Sequence, residues 1–407
     1  MNATTTPGGR RWVVAFDSWK GTLAAAEACA VFARAAAEAY PALRIETCPM
    51  ADGGEGTAVV LHSARGGEWR SERVSGPMPG SRVEANWLWQ ADTGRAVIEM
   101  AQAAGLPLVP EGRRDPGRAT TRGVGELIRA AARVGARELV IALGGSATVD
   151  GGAGMAQALG FRLRDARGGE LPPGGAALAD LDRIERPEHD LLKGIRILAW
   201  SDVTHPMLGA AGAAPVFGPQ KGASPGDVRI LEQGLERLAA CIRRDLGPDV
   251  GAMAGGGAAG GLGAGIVGFL GGVLEEGITG VIQATRLAGR VRGADWVITG
   301  EGRFDATSLH GKVVSGVLSV ARAAGVRVGV IAGECRLLES EWRPAGVCAA
   351  YSTRPPDMPL EDALRRTPEL LASAARRFAR DVSGLARPGG REPEAVDPEG
   401  EDPGMRP

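Results

Sequence analysis

The strongest constraint on the fold is a recurring three-part unit: a short run rich in Val and Ile, a glycine-bearing turn, then an Ala-rich stretch with helical spacing. Units of that kind stack as β-loop-α modules around a largely parallel sheet, so the class is α/β. The first is WVVAFD, Trp12 to Asp17, followed by SWKGT and a predicted helix from Leu23 to about Tyr40 whose alanines favour helix. A second strand ends near Cys48 and opens into PMADGGEGT. ELVIAL, Glu138 to Leu143, runs into GGSATVDGGAG, and RILAW, Arg196 to Trp200, runs into SDVTHPMLG. Further units begin at DWVITGEG, Asp295 to Gly302, and RVGVIAGE, Arg327 to Glu334. A last strand, VCAAYS, precedes an amphipathic helix expected from about Leu360 to Arg380. In open parallel sheets ligands bind beyond the carboxyl ends of the strands, where all of these turns must lie.

A chain of 407 residues suggests two to three domains. Its 47 basic and 48 acidic residues give a net charge of -1 with no basic run, which argues against a nucleic-acid partner. Five scattered cysteines without a C-x-x-C pair predict reduced thiols in a cytoplasmic protein, and neither a disulfide frame nor a zinc site. The N-terminal MNATTTPGGRR has no apolar stretch after its charges, so no secretory leader is expected. The uncharged window from Gly251 to Leu274 has 11 glycines among 24 residues, too many for a membrane span. Residues 383–407 are expected to be disordered: Pro388 to Pro407 alone holds five Pro, four Gly and six acids with no aromatic residue.

The loops carry the chemistry. Gly144-Gly145-Ser146-Ala147-Thr148 follows a strand and precedes a helix, so its N–H groups, two hydroxyls and a helix N-terminus could converge on an anion. The plainer alternative is that its glycines only permit tight turning and close packing. ADGGEGT, TGEGRFD and FGPQKGA repeat the combination of glycine with acid or lysine. Among 47 basic residues only four are lysine, and Lys20, Lys221 and Lys312 fall in or beside these loops, where a compact ammonium can follow a phosphoryl group. Asp17, Asp52, Glu55, Asp150, Asp202, Glu301 and Asp305 stand at strand ends. Such carboxylates can hold Mg²⁺ or accept a proton from an attacking hydroxyl, or serve simply as helix N-caps. No H-E-x-x-H or G-x-S-x-G occurs, and the P-loop pattern is absent because Gly311-Lys312 is followed by Val313. G-x-G-x-x-G at Gly263, Gly265 and Gly268 has no clear strand before it, which speaks against a dinucleotide site.

In order, DSWKGTLAA, MADGGEGT, IEMAQAAGL, ATTRGVGELI, LGGSATVDGGAGMAQALG, SDVTHPMLGAAGAAPVFGPQKGA, GAAGGLGAG and ITGEGRFDATSLHGK resemble the type-1 glycerate kinase family, over about Val13 to Arg380. The resemblance implies two α/β domains: a discontinuous flavodoxin-like, Rossmann-like parallel-sheet domain from both chain ends, 11–65 and 288–382, and an inserted α/β domain, 66–287. It also implies ATP-dependent phosphorylation of D-glycerate with Mg²⁺, usually at the 2-hydroxyl to give 2-phosphoglycerate. Trp19, Val149, Ser201, His205 and Ser308 depart from the family's usual wording, and Val149 and His205 alter hydrogen bonding in site loops.

Within that resemblance, glycerate and ATP are expected to meet in the cleft between the domains. Gly144, Gly145, Ser146, Thr148, Gly300 and Glu301 are assigned to the nucleotide, and Lys221 and Lys312 to the charge on the transferred group. Asp17, Ser18, Lys20, Glu55 and His205 are assigned to the acceptor, with Lys20 on its carboxylate. Asp52 and Asp202 are the Mg²⁺ candidates; Asp305 is the preferred general base and Asp150 its rival. The expected partners are these small molecules, with neither nucleic acid nor membrane; a homo-oligomer is compatible with the sequence. Two alternatives stay open: a kinase of the same build acting on another small hydroxy acid, and a catalytically idle module that binds small anions.

Overall fold

The structure, a computed structural model, describes residues 10–382. The tail expected at 383–407 lies outside the described residues. Two principal sheets organise the chain. The first is five-stranded and wholly parallel: Val347–Ser352, Arg327–Ala332, Trp296–Gly300, Arg11–Phe16 and Arg44–Thr47, in spatial order. Numbered along the chain these strands run 2-1-3-4-5 across the sheet, the flavodoxin-like order, whose switch point falls between strands 1 and 3. Here that point lies between Arg11–Phe16 and Trp296–Gly300, one from each end of the chain.

The second sheet is six-stranded: Val273–Glu275, Arg196–Trp200, Glu138–Ala142, Arg95–Glu99, Arg82–Gln90 and Glu68–Ser75. Its first four strands are parallel, and the last two form an antiparallel hairpin on the edge. The sequence pattern did not reveal that hairpin. EWRSERVS is charged and mostly exposed, because an edge strand with one wet face needs no continuous apolar run.

Helices cover both faces of the five-stranded sheet, as a parallel sheet requires. Ala25–Ala39 and Thr367–Val382 bury one face around Trp12, Phe16, Phe32 and Phe378, whose rings meet edge to face at 5.4 Å for Trp12–Phe378 and Phe16–Phe32. On the other face one continuous apolar cluster runs from Val297 and Val330 through Leu61 and Ile278 to Val140, Leu198 and Trp200 of the second sheet. Helices Thr57–Arg65 and Gly277–Thr285 are therefore held between the sheets. The helix expected over Leu360 to Arg380 is two helices, Leu360–Arg365 and Thr367–Val382. Pro368 has no N–H to offer Leu364, so the helix must restart there.

The glycine-saturated segment forms the buried helix Ala258–Leu270, broken near its start by left-handed residues Ala259, Gly260 and Gly261. A Cβ on Gly265 would come within 2.3 Å of the Gly151 carbonyl oxygen, so this part of the G-x-G-x-x-G string serves close packing. Among the described residues no helix is long and apolar enough to cross a membrane.

Candidate active site

The carboxyl ends of both sheets point into one region. Asp17 and Ser18 follow Arg11–Phe16, Glu301 follows Trp296–Gly300, and Asp52 lies beyond Arg44–Thr47. From the second sheet, Asp202 follows Arg196–Trp200 and the Gly144–Thr148 loop follows Glu138–Ala142. A Cβ on Gly144 would lie 2.7 Å from the Gly54 Cα, and one on Gly311 would lie 3.9 Å from the Asp202 carbonyl oxygen. Loops of the two sheets thus touch across the cleft, and only glycine fits at residue 144.

Two cavities flank the Asp17–Lys20 turn. One, of about 370 Å³, is lined by Asp17, Lys20, Glu301, Asp305, Lys312 and Arg354 among others. The second, of about 390 Å³, is more apolar and includes Leu23, Met50, Glu55 and Val59. Asp17, Ser18, Trp19, Lys20 and Thr22 line both.

The charges in this mouth perturb one another. Burial pushes the Asp17 carboxyl up to about 7, helped by Asp52 and Glu301 and opposed by the Ser18 N–H and by Lys20. Burial and Asp52 also raise Asp202, against Lys312 and Lys20. Glu301 is raised by burial against the Ser308 hydroxyl and Lys312, and among the described residues its Oε1 has no hydrogen-bond partner. Burial disfavours the Lys20 ammonium, yet Asp52, Asp17, Asp202 and Glu301 together hold its pKa above the ordinary lysine value. The site gathers more negative charge than its own lysines neutralise, a setting that favours an added cation.

Asp305 is arranged differently. Thr307 donates from Oγ1 at 2.7 Å and from its backbone N–H at 2.9 Å to Asp305 Oδ1, and these bonds with Lys312 hold the carboxyl below its ordinary range. Lys312 Nζ donates to Thr307 Oγ1 at 3.2 Å, linking base candidate, hydroxyl and ammonium in a chain. Lys312 also starts the helix Val313–Ala324, so it stands at a positive helix end. Thr307 received no role from the sequence, although the D-x-T spacing is that of a side chain bonding its own turn. Arg354 was also missed; its place just past the strand Val347–Ser352 was the available signal.

A second cluster lies beneath the Gly144–Thr148 loop. Asp150 is fully buried: Oδ2 accepts from the Thr121 N–H at 2.8 Å, Thr121 Oγ1 at 2.9 Å and the Gly154 N–H at 3.2 Å, while Oδ1 accepts from the Gly152 N–H at 3.2 Å. Burial raises this carboxyl against those donors. Lys221 is 2% exposed, and its Nζ donates to Ser146 Oγ and to the Thr148 carbonyl, both at 2.7 Å. Burial brings Lys221 down to about 7, with Asp150 opposing. Thr148 is also fully buried, with a hydroxyl that meets no partner among the described residues.

The loop itself is fastened by the Gly145 carbonyl to Leu106 N at 2.8 Å and by Ala147 N to the Ala104 carbonyl at 2.9 Å. Among the described residues no acceptor takes the N–H groups of Gly144, Gly145 or Ser146. With Gly145 at a φ of 69°, the loop combines a left-handed residue with successive N–H groups that have no acceptor among the described residues, two features a backbone anion nest requires. Glu55 faces it: a Cβ on Gly145 would be 3.9 Å from Glu55 Oε2. His205 is turned into its own loop, with Nδ1 3.0 Å from the Ala211 carbonyl oxygen and its ring edge-on to Phe217.

Comparison with known proteins agrees with this architecture. The model of the glycerate kinase family matches residues 12–383. A glycerate kinase of Halalkalibacterium halodurans is 41% identical over 368 residues, covering 90% of this chain and 97% of that protein. A glycerate 2-kinase of Escherichia coli K12 is also 41% identical over 368 residues, covering 90% of this chain and 96% of that protein. A crystal structure of a Salmonella typhimurium LT2 protein described as glycerate kinase 2 superposes with a TM-score of 0.80 at 41% identity, covering 92% of this chain and 98% of that one.

Proposed function

The chain belongs to the glycerate kinase family, and from that premise we propose that it transfers the γ-phosphoryl group of ATP to the 2-hydroxyl of D-glycerate, giving 2-phosphoglycerate and ADP. The observation that supports this reading is the approach of the two sets of loops: Gly144 packs on Gly54 and Gly311 nears the Asp202 carbonyl oxygen, so the Gly144–Ser146 N–H groups and the Asp305–Thr307–Lys312 chain stand on loops of facing sheets. Phosphoryl transfer needs little covalent help from the protein; it needs in-line positioning and charge stabilisation.

In this mechanism the nest and the Ser146 hydroxyl hold phosphate oxygens, with Gly300 and Glu301 bordering the nucleotide. Lys312, at a helix N-terminus, faces the charge that spreads over the transferred group. Lys20 takes the glycerate carboxylate, with Asp17 and Ser18 beside it and Glu55 and His205 on the loops around the acceptor. Asp305 accepts the proton of the attacking hydroxyl; the Thr307 bonds keep it ionised and aimed. Asp150, sealed from solvent with both oxygens engaged, anchors the loop instead of acting as the base.

The donor set fits Mg²⁺. Asp52 and Asp202 are oxygen ligands near enough to repel each other, one from each side of the cleft. Among the described residues no three His, Cys, Asp or Glu side chains form a complete cage, and Mg²⁺ ordinarily takes one or two carboxylates with water and phosphate oxygens. When bound, the ion would offset phosphate charge. The two sheets are the natural cores of two domains, which we place at 11–65 with 288–382 and at 66–287, in a cytoplasmic enzyme.

Incubation with D-glycerate, ATP and Mg²⁺, followed by phosphorus NMR, tests the reading. The 2-phosphate ester is expected. The 3-phosphate ester would overturn the regiochemistry, and faster ADP release with another hydroxy acid would overturn the acceptor. ATP binding without any acceptor-dependent ADP would indicate an idle anion-binding module.

A further inference from the structure

Lys221 approaches the nucleotide-side loop from a distant, rigid part of the chain. It ends the short turn Pro219–Lys221, and the next residue, Gly222, has a φ of 97°. A Cβ on Gly222 would lie 2.9 Å from the Arg114 carbonyl oxygen, so that turn is pressed against its neighbour. The lysine side chain is buried, and its ammonium reaches two atoms of the loop, Ser146 Oγ and the Thr148 carbonyl oxygen.

The direction of the bond to Ser146 has a chemical consequence. An ammonium has three donors and no acceptor, whereas a hydroxyl has one hydrogen and two lone pairs. In its ammonium form, which the nearby Asp150 charge favours, Lys221 donates, and one Ser146 lone pair is occupied. The Ser146 hydrogen must go elsewhere, and among the described residues no acceptor receives it. Ser146 also sits beside N–H groups that have no acceptor among the described residues, so its hydrogen is available to an anion held there. Donation from a cation polarises the O–H bond and strengthens it as a donor.

We propose that Lys221 is a positioning residue which orients and polarises the Ser146 hydroxyl, so that Ser146 donates its hydrogen to a phosphate oxygen of ATP. This deepens the kinase reading above and rests on it for the identity of the anion. Lys221 itself touches no phosphate; its effect reaches the ligand through Ser146. Its second bond, to the Thr148 carbonyl, fixes the far end of the same loop and keeps Ser146 in register with the nest.

The test is a double-mutant cycle read as ATP affinity by calorimetry, without acceptor, together with kcat and KM. Ser146→Ala should weaken ATP binding about tenfold, the scale of one hydrogen bond to a charged acceptor. Ser146→Thr, which keeps the hydroxyl, should restore most of that affinity. Lys221→Met should weaken ATP binding to a similar degree, and adding it to Ser146→Ala should weaken binding by no more than about twofold further. Multiplying effects in the double variant, or unchanged affinity in Ser146→Ala, would overturn the proposal. Should Lys221→Met fail to fold, Lys221→Gln serves in its place: its amide still donates but carries no charge, so an affinity between wild type and Ser146→Ala is expected, and wild-type affinity would count against polarisation. Because binding is measured apart from turnover, a wild-type protein that binds ATP but phosphorylates no glycerate would defeat the kinase reading while leaving this cycle decisive.

Discussion

The two sides of the cleft handle charge in opposite ways. On the five-stranded side, Asp17, Asp52 and Glu301 repel one another in a partly open mouth, and Glu301 Oε1 has no partner among the described residues. On the six-stranded side, Asp150 is sealed in by four donors and Lys221 donates to the loop above it. The first arrangement is unfavourable until something binds; the second is favourable already. In the proposed reaction a loop that holds a triphosphate needs a rigid base, while groups that meet the metal and acceptor need unsatisfied capacity, and on that proposal each sheet takes one of the two tasks.

The largest effect that would break this contrast is in the buried cluster. Asp150→Ala strands the Thr121, Gly152 and Gly154 donors and leaves Lys221 without its buried counter-charge. It should cost about 4 kcal/mol in urea unfolding. A loss under about 1 kcal/mol would mean the cluster is not a structural base.

Next come the open side's chemical residues. Asp305→Asn and Lys312→Ala should each lower kcat by about 10²-fold or more while leaving the unfolding midpoint nearly unchanged. Near-normal turnover in either would remove that residue from the mechanism.

A smaller effect sharpens the electrostatic half of the comparison. Asp17 is raised from 3.8 to about 7 in the folded chain, so between those values the folded state holds a proton that the unfolded state has released. The stability associated with that proton is complete below about pH 4 and is lost as pH rises through about 7. Asp17→Asn should remove most of this decline across the window. A decline of wild-type steepness in the variant would assign it to other groups.

The smallest effect separates positioning from chemistry. Thr307→Val removes the hydroxyl between Lys312 and Asp305 and should lower kcat about fivefold, roughly 1 kcal/mol, with ATP affinity little changed. A loss as large as that of Asp305→Asn would give Thr307 a direct role.

Much of the fold was legible because parallel strands are buried on both faces and read as continuous apolar runs: Trp12 to Asp17, Glu138 to Leu143 and Arg196 to Trp200 all lie on observed strands within one residue. The edge hairpin at 68–75 and 82–90 was not legible, since a half-exposed strand carries charges. The placement of the loops followed from topology, but the bonds within them did not. Lys221 and Ser146 are 75 residues apart, and nothing in either segment announces that the lysine turns inward. Asp150 and Thr121 pose the same difficulty at 29 residues.

The central claim is that loops from both sheets hold one triphosphate. A crystal structure with a non-hydrolysable ATP analogue and D-glycerate tests it most directly. The phosphates should lie between the Gly144–Ser146 N–H groups and Lys312, with the 2-hydroxyl of glycerate facing Asp305. A nucleotide seated wholly on one sheet's loops, with the other sheet's loops out of reach, would contradict it.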